Sequence, residues 1–251
     1  MALAMVIAFA AVALGPAASS AHAAPSPDAL LPDLAVLAPS EFSIKITASG
    51  RKRLHFTSRV VNIGRGPFQL KGYDPADGNA QVGDTLSVRQ QVREPDGSLS
   101  RHESGATMVW SGDGHDHWHV TGLQDIRLQS LDDDVLGRVK KIGFCFLDSF
   151  PYGSSQPSRY NAAHQVCQTG RDGSVQMGVS VKWGDTYPST IAFQWIDITD
   201  LPNGKYRLRV LADPASTAGA FLESNETNNA GWAKIQIQGN SVTVLKKSAN
   251  P

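Results

Sequence analysis

The sequence has almost no cysteine, no surplus of either charge and, past its first two dozen residues, no sustained helical period. Each absence removes a class of protein. Two cysteines in 251 residues are too few for a disulfide-stapled miniature fold, and a zinc ribbon needs four ligands at tighter spacing. Lysine plus arginine equal aspartate plus glutamate at 23 each. The chain therefore lacks the basic surplus with which nucleic-acid binders displace counterions from phosphates, and no nucleic-acid partner is expected. The basic cluster Arg51-Lys52-Arg53 is only three residues long and reads as a solvated strand entrance.

Aspartate, glutamate, lysine and arginine are also missing from residues 1–24. There the apolar stretch from Met1 to Leu14 passes into small residues ending Ser20-Ala21-His22-Ala23-Ala24-Pro25, the form of a secretory signal with a small-residue cleavage site. Gly15-Pro16 breaks the run too early for a spanning helix. The expectation is a signal peptide over 1–24 and a secreted, extracellular protein with no membrane segment once the signal is removed. A Pro- and Ala-rich flexible leader over 25–32 follows, then one domain over 33–245 and a tail over 246–251. In an oxidising compartment Cys145 and Cys167 are expected to pair, and a loop of about 22 residues so closed contributes roughly 3 kcal/mol.

What is present beyond residue 32 reads as strand after strand. Leu54 to Val61 is dominated by β-branched and aromatic residues and ends at Gly64-Arg65-Gly66-Pro67. Leu86 to Val92 stops at Glu94-Pro95-Asp96-Gly97, a tight turn. Ile191 to Ile198 precedes a Pro202-Asn203-Gly204 turn. Tyr206, Leu208 and Val210 then alternate with Arg207 and Arg209, a strand with one wet face. Trp232 to Ile237 repeats the pattern. The fold class expected is all-β, a β-sandwich with little helix and a long ordered loop region from Asp148 to Gly178 tied by the cysteine pair.

Three of the seven histidines sit at alternate positions in Gly112-Asp113-Gly114-His115-Asp116-His117-Trp118-His119. On a helix, neighbours two apart point about 200° away from each other; on a strand all three share a face. Their Cα atoms would then span about 13 Å, so a bend is needed for the imidazoles to converge, and Gly112-Asp113-Gly114 allows one. Three imidazoles suit copper, zinc, nickel or iron, with copper(II) bound most tightly by the usual order. Spacing alone does not separate copper from zinc, nor either from a half-exposed strand face without metal.

Read in order, His-x-His-Trp-His, Phe144-Cys145, Asp185-Thr186-Tyr187 and Gln194-Trp195-Ile196-Asp197-Ile198-Thr199-Asp200 resemble the lysyl oxidase catalytic domain across about Asp33 to Ile237. The resemblance implies copper(II) held by His115, His117 and His119, and a lysine tyrosylquinone cofactor made from the chain itself. The family's lysine stands four residues before its Phe-Cys cysteine, at Lys141 here, and the tyrosine of Asp-Thr-Tyr is Tyr187. Periodicity cannot choose between Lys140 and Lys141, because both faces of that segment are apolar. The implied reaction converts primary amines, peptidyl lysine or small amines, to aldehydes and consumes dioxygen, with release of hydrogen peroxide and ammonia. Asp125 and Asp116 are base candidates by proximity in sequence only. The chain departs from animal members in having one cysteine pair where they have several, and in having no histidine between His119 and His164.

Asp33-Leu34 opens the domain and Glu223-Ser224-Asn225-Glu226-Thr227-Asn228-Asn229 lies near its end. Carboxylate and amide oxygens are hard ligands that suit calcium. The resemblance implies a calcium ion on Asp33, the Leu34 carbonyl, Glu223, Asn225, Asn228 and Asn229, clipping first strand to last. A polar turn without metal has the same composition. The competing function is a non-catalytic exported β-sandwich that binds metal through the same histidines and has no use for Lys141 and Tyr187.

Overall fold

A computed structural model describes residues 24–76, 78–112, 114–141, 143–214 and 221–251. The expected signal segment, apart from Ala24, lies outside the described residues. Among those residues the chain is built almost wholly from antiparallel strands, with a single 3-10 turn at Ala162–His164, and no helix is long and apolar enough to cross a membrane.

The strands form three sheets. The first is ordered β1-β2-β12-β10, with β13 also on β2; these are Leu34–Ile46, Lys52–Asn62, Trp183–Tyr187, Phe150–Pro151 and, for β13, Trp195–Asp197. The second runs β11-β3-β4-β5-β6-β9, from Ser174–Val179 through Phe68–Tyr73, Thr85–Arg93, Leu99–Trp110 and Trp118–Thr121 to Gly143–Phe144. The third runs β16-β15-β14-β7-β8: Ser241–Lys247, Ala230–Gln238, Gly204–Ala212, Gln124–Gln129 and Val135–Arg138. β1 of the first sheet lies over β14, β15 and β16 of the third. A Cβ on Gly231 would stand 2.7 Å from the Leu37 carbonyl oxygen, so only glycine lets β15 come so close to β1.

Side-chain alternation explains the burial. In β14 Tyr206, Leu208, Val210 and Ala212 turn inward while Lys205, Arg207 and Arg209 do not, as expected of a sheet with one wet face. β2 is buried along nearly its whole length because it is interior to its sheet, with β1 on one side and β12 and β13 on the other. One hydrophobic cluster joins all three sheets, with Phe56, Phe68, Trp118, Phe144, Phe146 and Phe221 as its largest fully buried side chains.

Two expectations change in detail. The strand expected from Ile191 to Ile198 is reduced to Trp195–Asp197. Ile191 donates back to the Pro188 carbonyl, and Phe193 holds φ of 61°, so this apolar run turns before it pairs. The loop expected from Asp148 to Gly178 is irregular over most of its length, but its last residues form β11 against β3. In the segment expected as a leader, Leu30 bridges to Arg93, and the Leu31 carbonyl accepts from Arg65 and Gly66. At the other end β16 continues through Lys247, and Ser248 donates to the Trp232 carbonyl.

Candidate metal and cofactor site

The three histidines of the run do converge, and the bend that brings them together lies within the run. The His117 amide donates to the His115 carbonyl at 3.0 Å, a three-residue turn. β6 begins only at Trp118. Gly114, at φ of 89°, leads into that turn in a left-handed conformation open to glycine. The ring centroids lie 5.3 Å apart for His115 and His117, 4.6 Å for His117 and His119, and 6.1 Å for His115 and His119. The Nε2 atoms of His117 and His119 are 2.8 Å apart, and one ligand nitrogen from each of the three lies within 4.8 Å of the others. That donor set, three imidazoles around one point, fits a copper(II) ion or another borderline transition metal.

The hairpin carrying these rings is braced on both sides. Trp118 packs edge-to-face on Trp110 at 5.4 Å and donates through Nε1 to Thr169, whose hydroxyl donates to Asp74. The Trp118 amide donates to the Cys167 carbonyl at 2.8 Å. Cys167 is disulfide-bonded to Cys145 with Cα atoms 5.9 Å apart. The long loop is therefore fastened both to the histidine strand and to the residue after Phe144. Gly143 faces His119: a Cβ there would stand 2.8 Å from the His119 Cβ.

Phe144 is the meeting point of the residues expected to make the cofactor. The Lys141 ammonium lies 5.8 Å from the Phe144 ring centroid. The Tyr187 ring packs edge-to-face on the same phenyl at 4.8 Å and touches Phe146. Lys141 and Tyr187 are both buried. The Tyr187 hydroxyl donates to the Cys145 carbonyl at 2.9 Å, and burial, with Asp185 beside it, holds the phenol well above its usual pKa. Asp185, fully enclosed two residues earlier on β12, is raised to about 7 by desolvation, opposed by hydrogen bonding to Tyr187 and to the Leu147 amide.

Lys140 and Lys141 open together onto a cavity of about 330 Å³ with His119, whose remaining walls include Val109, Trp110 and Phe193 and, among the described residues, no carboxylate. The backbone amides of Lys140 and Lys141 donate to Trp195 and Phe193. The two proximity candidates for a base are engaged elsewhere. Asp125 is ion-paired with Arg127 and Arg138, and Asp116 is exposed, its carbonyl bound by Gln168. Asp185, which proximity in sequence did not single out, is the buried carboxyl beside Tyr187; its place in Asp185-Thr186-Tyr187 was the available signal.

At the start of β1 Leu34 donates its amide to the Glu223 carboxylate. Asn229 donates to the other Glu223 oxygen at 2.9 Å, and Asn228 donates to Asp33 at 2.7 Å. Asn225 instead accepts from the Thr227 amide and hydroxyl within its own turn. Leu34 offers its N–H to this cluster. Asp213 and Glu226, outside the expected set, bring carboxylate oxygens within 4.8 Å of Glu223. Burial first, then Glu226 and Asp213, raise Glu223 to about 8. The side-chain oxygens of Asn228 and Asn229 are buried without a hydrogen-bond donor among the described residues. Three crowded carboxylates beside two such oxygens fit a hard cation such as calcium.

The lysyl oxidase family profile matches residues 100–247, more than half of the chain. The chain is 26% identical over 195 residues to lysyl oxidase homolog 3B of Danio rerio, covering 77% of this chain and 19% of that protein. It is 25% identical over 215 residues to lysyl oxidase homolog 2 of Gallus gallus, covering 85% of this chain and 22% of that one. To lysyl oxidase homolog 3 of Homo sapiens it is 25% identical over 195 residues, covering 77% and 20%. The chain thus spans about a fifth of the length of these curated relatives.

Proposed function

Because the chain belongs to the lysyl oxidase family, we propose that it is an exported, copper-dependent oxidase that converts primary amines to aldehydes with release of hydrogen peroxide and ammonia. The observation that carries this reading is the common contact of Lys141 and Tyr187 with Phe144, one strand away from the three clustered imidazoles. A metal-sequestering module needs the histidines alone.

His115, His117 and His119 would hold the copper ion, which would supply one-electron exchange with dioxygen, while a quinone formed from Tyr187 and Lys141 would supply the electrophilic carbonyl that an amine requires. The chain's own groups have defined tasks around that chemistry. Phe144, held by β9, keeps the lysine and the tyrosine against a common apolar surface and excludes water from both. Asp185, poised near neutrality, accepts the proton that the Tyr187 hydroxyl must lose before its ring can be oxidised. The cavity beside Lys141 and His119 gives a small amine a way in. Its walls of Val109, Trp110 and Phe193 favour an uncharged alkyl or aryl body behind the reacting nitrogen.

The test uses copper-loaded protein. Wild type should release peroxide from primary amines and react with phenylhydrazine, and peptide mapping should find Lys141 joined to Tyr187. Tyr187→Phe and Lys141→Ala should bind copper yet release no peroxide, and Tyr187→Phe should not be coloured by phenylhydrazine. Wild-type peroxide release from Tyr187→Phe would sink the cofactor assignment. A fully loaded wild type that oxidises none of a broad amine panel and carries no cross-link would establish the binding module instead.

A further inference from the structure

A cleft of about 590 Å³ lies where the β11–β12 turn, the end of β4 and the loop from Gly153 to Ser158 meet. Four cations line it, Arg65, Arg93, Arg159 and Lys182, and among the described residues no carboxylate does. That is unexpected in a chain whose charges cancel. Of the ten arginines outside the cleft, six, Arg51, Arg59, Arg89, Arg127, Arg138 and Arg207, have a carboxylate partner. None of the four cleft cations forms an ion pair among the described residues. The nearby acid, Asp148, is buried and committed to the amides of Arg159, Tyr160 and Ser180 and to the Ser180 hydroxyl. It therefore fixes the cleft wall without facing into it. Arg93 and Arg159 both act on the buried Tyr160 phenol, opposing the upward push of burial, so their charges converge on one place.

The backbone is set for this arrangement. Lys182 has φ of 57°, an uncommon conformation for a lysine. The turn is closed by the Trp183 amide donating to Ser180, while the Lys182 amide donates to Asn62 and its carbonyl accepts from Tyr152. Trp183 forms one side of the cleft, its indole N–H held by the Gln156 carbonyl. The facing loop, Gly153-Ser154-Ser155-Gln156-Pro157-Ser158, offers hydroxyls and amides and no apolar side chain but one proline.

We propose that this cleft binds a segment of an anionic saccharide bearing carboxylate or sulfate groups. A concave surface of one charge sign focuses its field on an anion. The volume exceeds what a single phosphate fills, and a hydroxyl-lined wall beside one indole suits the hydroxyls and flat face of a sugar ring. Single-stranded nucleic acid is disfavoured because it uses several aromatic platforms for successive bases, and the cleft has one. The cleft is independent of the amine-oxidation reading: it shares no residue with the histidine, Lys141 or Tyr187 site.

The experiment is calorimetric titration of the full chain with a uronate-only hexasaccharide, a sulfated hexasaccharide, inorganic phosphate and a six-nucleotide oligothymidylate. At least one saccharide should bind at 50 mM salt and weaken about 50-fold at 200 mM, if four cations release counterions as they do on a single-stranded polyanion. Whichever saccharide binds more tightly identifies the anionic group. Arg93→Glu combined with Arg159→Glu should weaken it at least tenfold, with melting temperature and copper content unchanged. Arg65→Gln with Lys182→Gln serves if the first pair fails to fold. Failure of both saccharides, equal binding by a folded variant, phosphate binding as tightly as the saccharides, or tighter binding of oligothymidylate would overturn the proposal.

Discussion

Replacing Asp185 with asparagine should remove the fall in stability that this carboxyl contributes as pH rises toward neutrality. Asp185 is buried on β12 and desolvation raises its carboxyl to about 7, whereas in the unfolded chain an aspartate titrates near ~3.9. Between those values the folded protein keeps a proton that the unfolded chain has lost. Stability from this group is therefore complete at low pH and is lost as pH climbs through the folded value. Integrated over pH 5 to pH 7, the loss is about 2 kcal/mol. Asparagine has nearly the same shape and keeps an oxygen for the Leu147 amide, now 3.4 Å away, but does not titrate. The assay is urea unfolding of both proteins at pH 5, 6 and 7, with fixed calcium and copper. The quantity read is the difference between their unfolding free energies at each pH. Glu223, also raised, contributes with the same sign to both proteins and cancels. Parallel curves would show that Asp185 is not a buried, proton-holding carboxyl, and the role assigned to it beside Tyr187 would fall with that.

Three further outcomes follow from the geometry. His117→Ala should abolish stoichiometric copper by metal analysis while circular dichroism stays that of a β-protein; a His115, His117 and His119 triple alanine variant that keeps one tight copper would refute the site. Calcium at 100 times its dissociation constant should raise the melting temperature by roughly 5–10 °C, and Glu223→Gln should remove that response; an unresponsive wild type would leave the segment as a polar turn. Hexylamine should be a better substrate than 1,6-diaminohexane by at least tenfold in kcat/KM, because among the described residues the cavity carries Lys140 and no carboxylate for a second ammonium. Lys140→Glu should narrow that ratio, and a wild type that prefers the diamine would contradict the reading of the cavity.

The strands most legible from sequence were those with one wet face. β14 and β15 alternate through a whole element, so a period of two announces both the strand and its buried side. β2 was legible for a different reason, as a β-branched and aromatic run bounded by glycines. Ile191 to Ile198 has the same composition and mostly turns, because apolar content reports burial and not pairing. Its backbone bends at Phe193, whose carbonyl accepts from Lys141 and Trp195. β11 was hidden because Ser174-Val175-Gln176-Met177-Gly178 is short and interrupted by glycine; it is a strand through its six-residue register with β3.

The functional residues divide along the same line between local and distant causes. Alternate histidines imply a shared face from sequence alone, and convergence then needs only a bend of a few residues, which the chain supplies between His115 and His117. Phe144 could be placed in a family block, but its position between Lys141 and Tyr187 depends on β9 joining the second sheet while β12 joins the first. No local pattern carries that information. Asp213 and Glu226 were illegible for a stronger version of the same reason: each is an ordinary loop acid whose meaning comes from crowding on Glu223. Lone carboxylates in solvent repel weakly, and an acid rises to about 8 only where burial and like charge act together. A fold that keeps three such groups together, next to amide oxygens without donors, has concentrated negative charge that a divalent cation would neutralise. The calcium titration therefore tests the arrangement of the folded chain, which composition near either terminus could not decide.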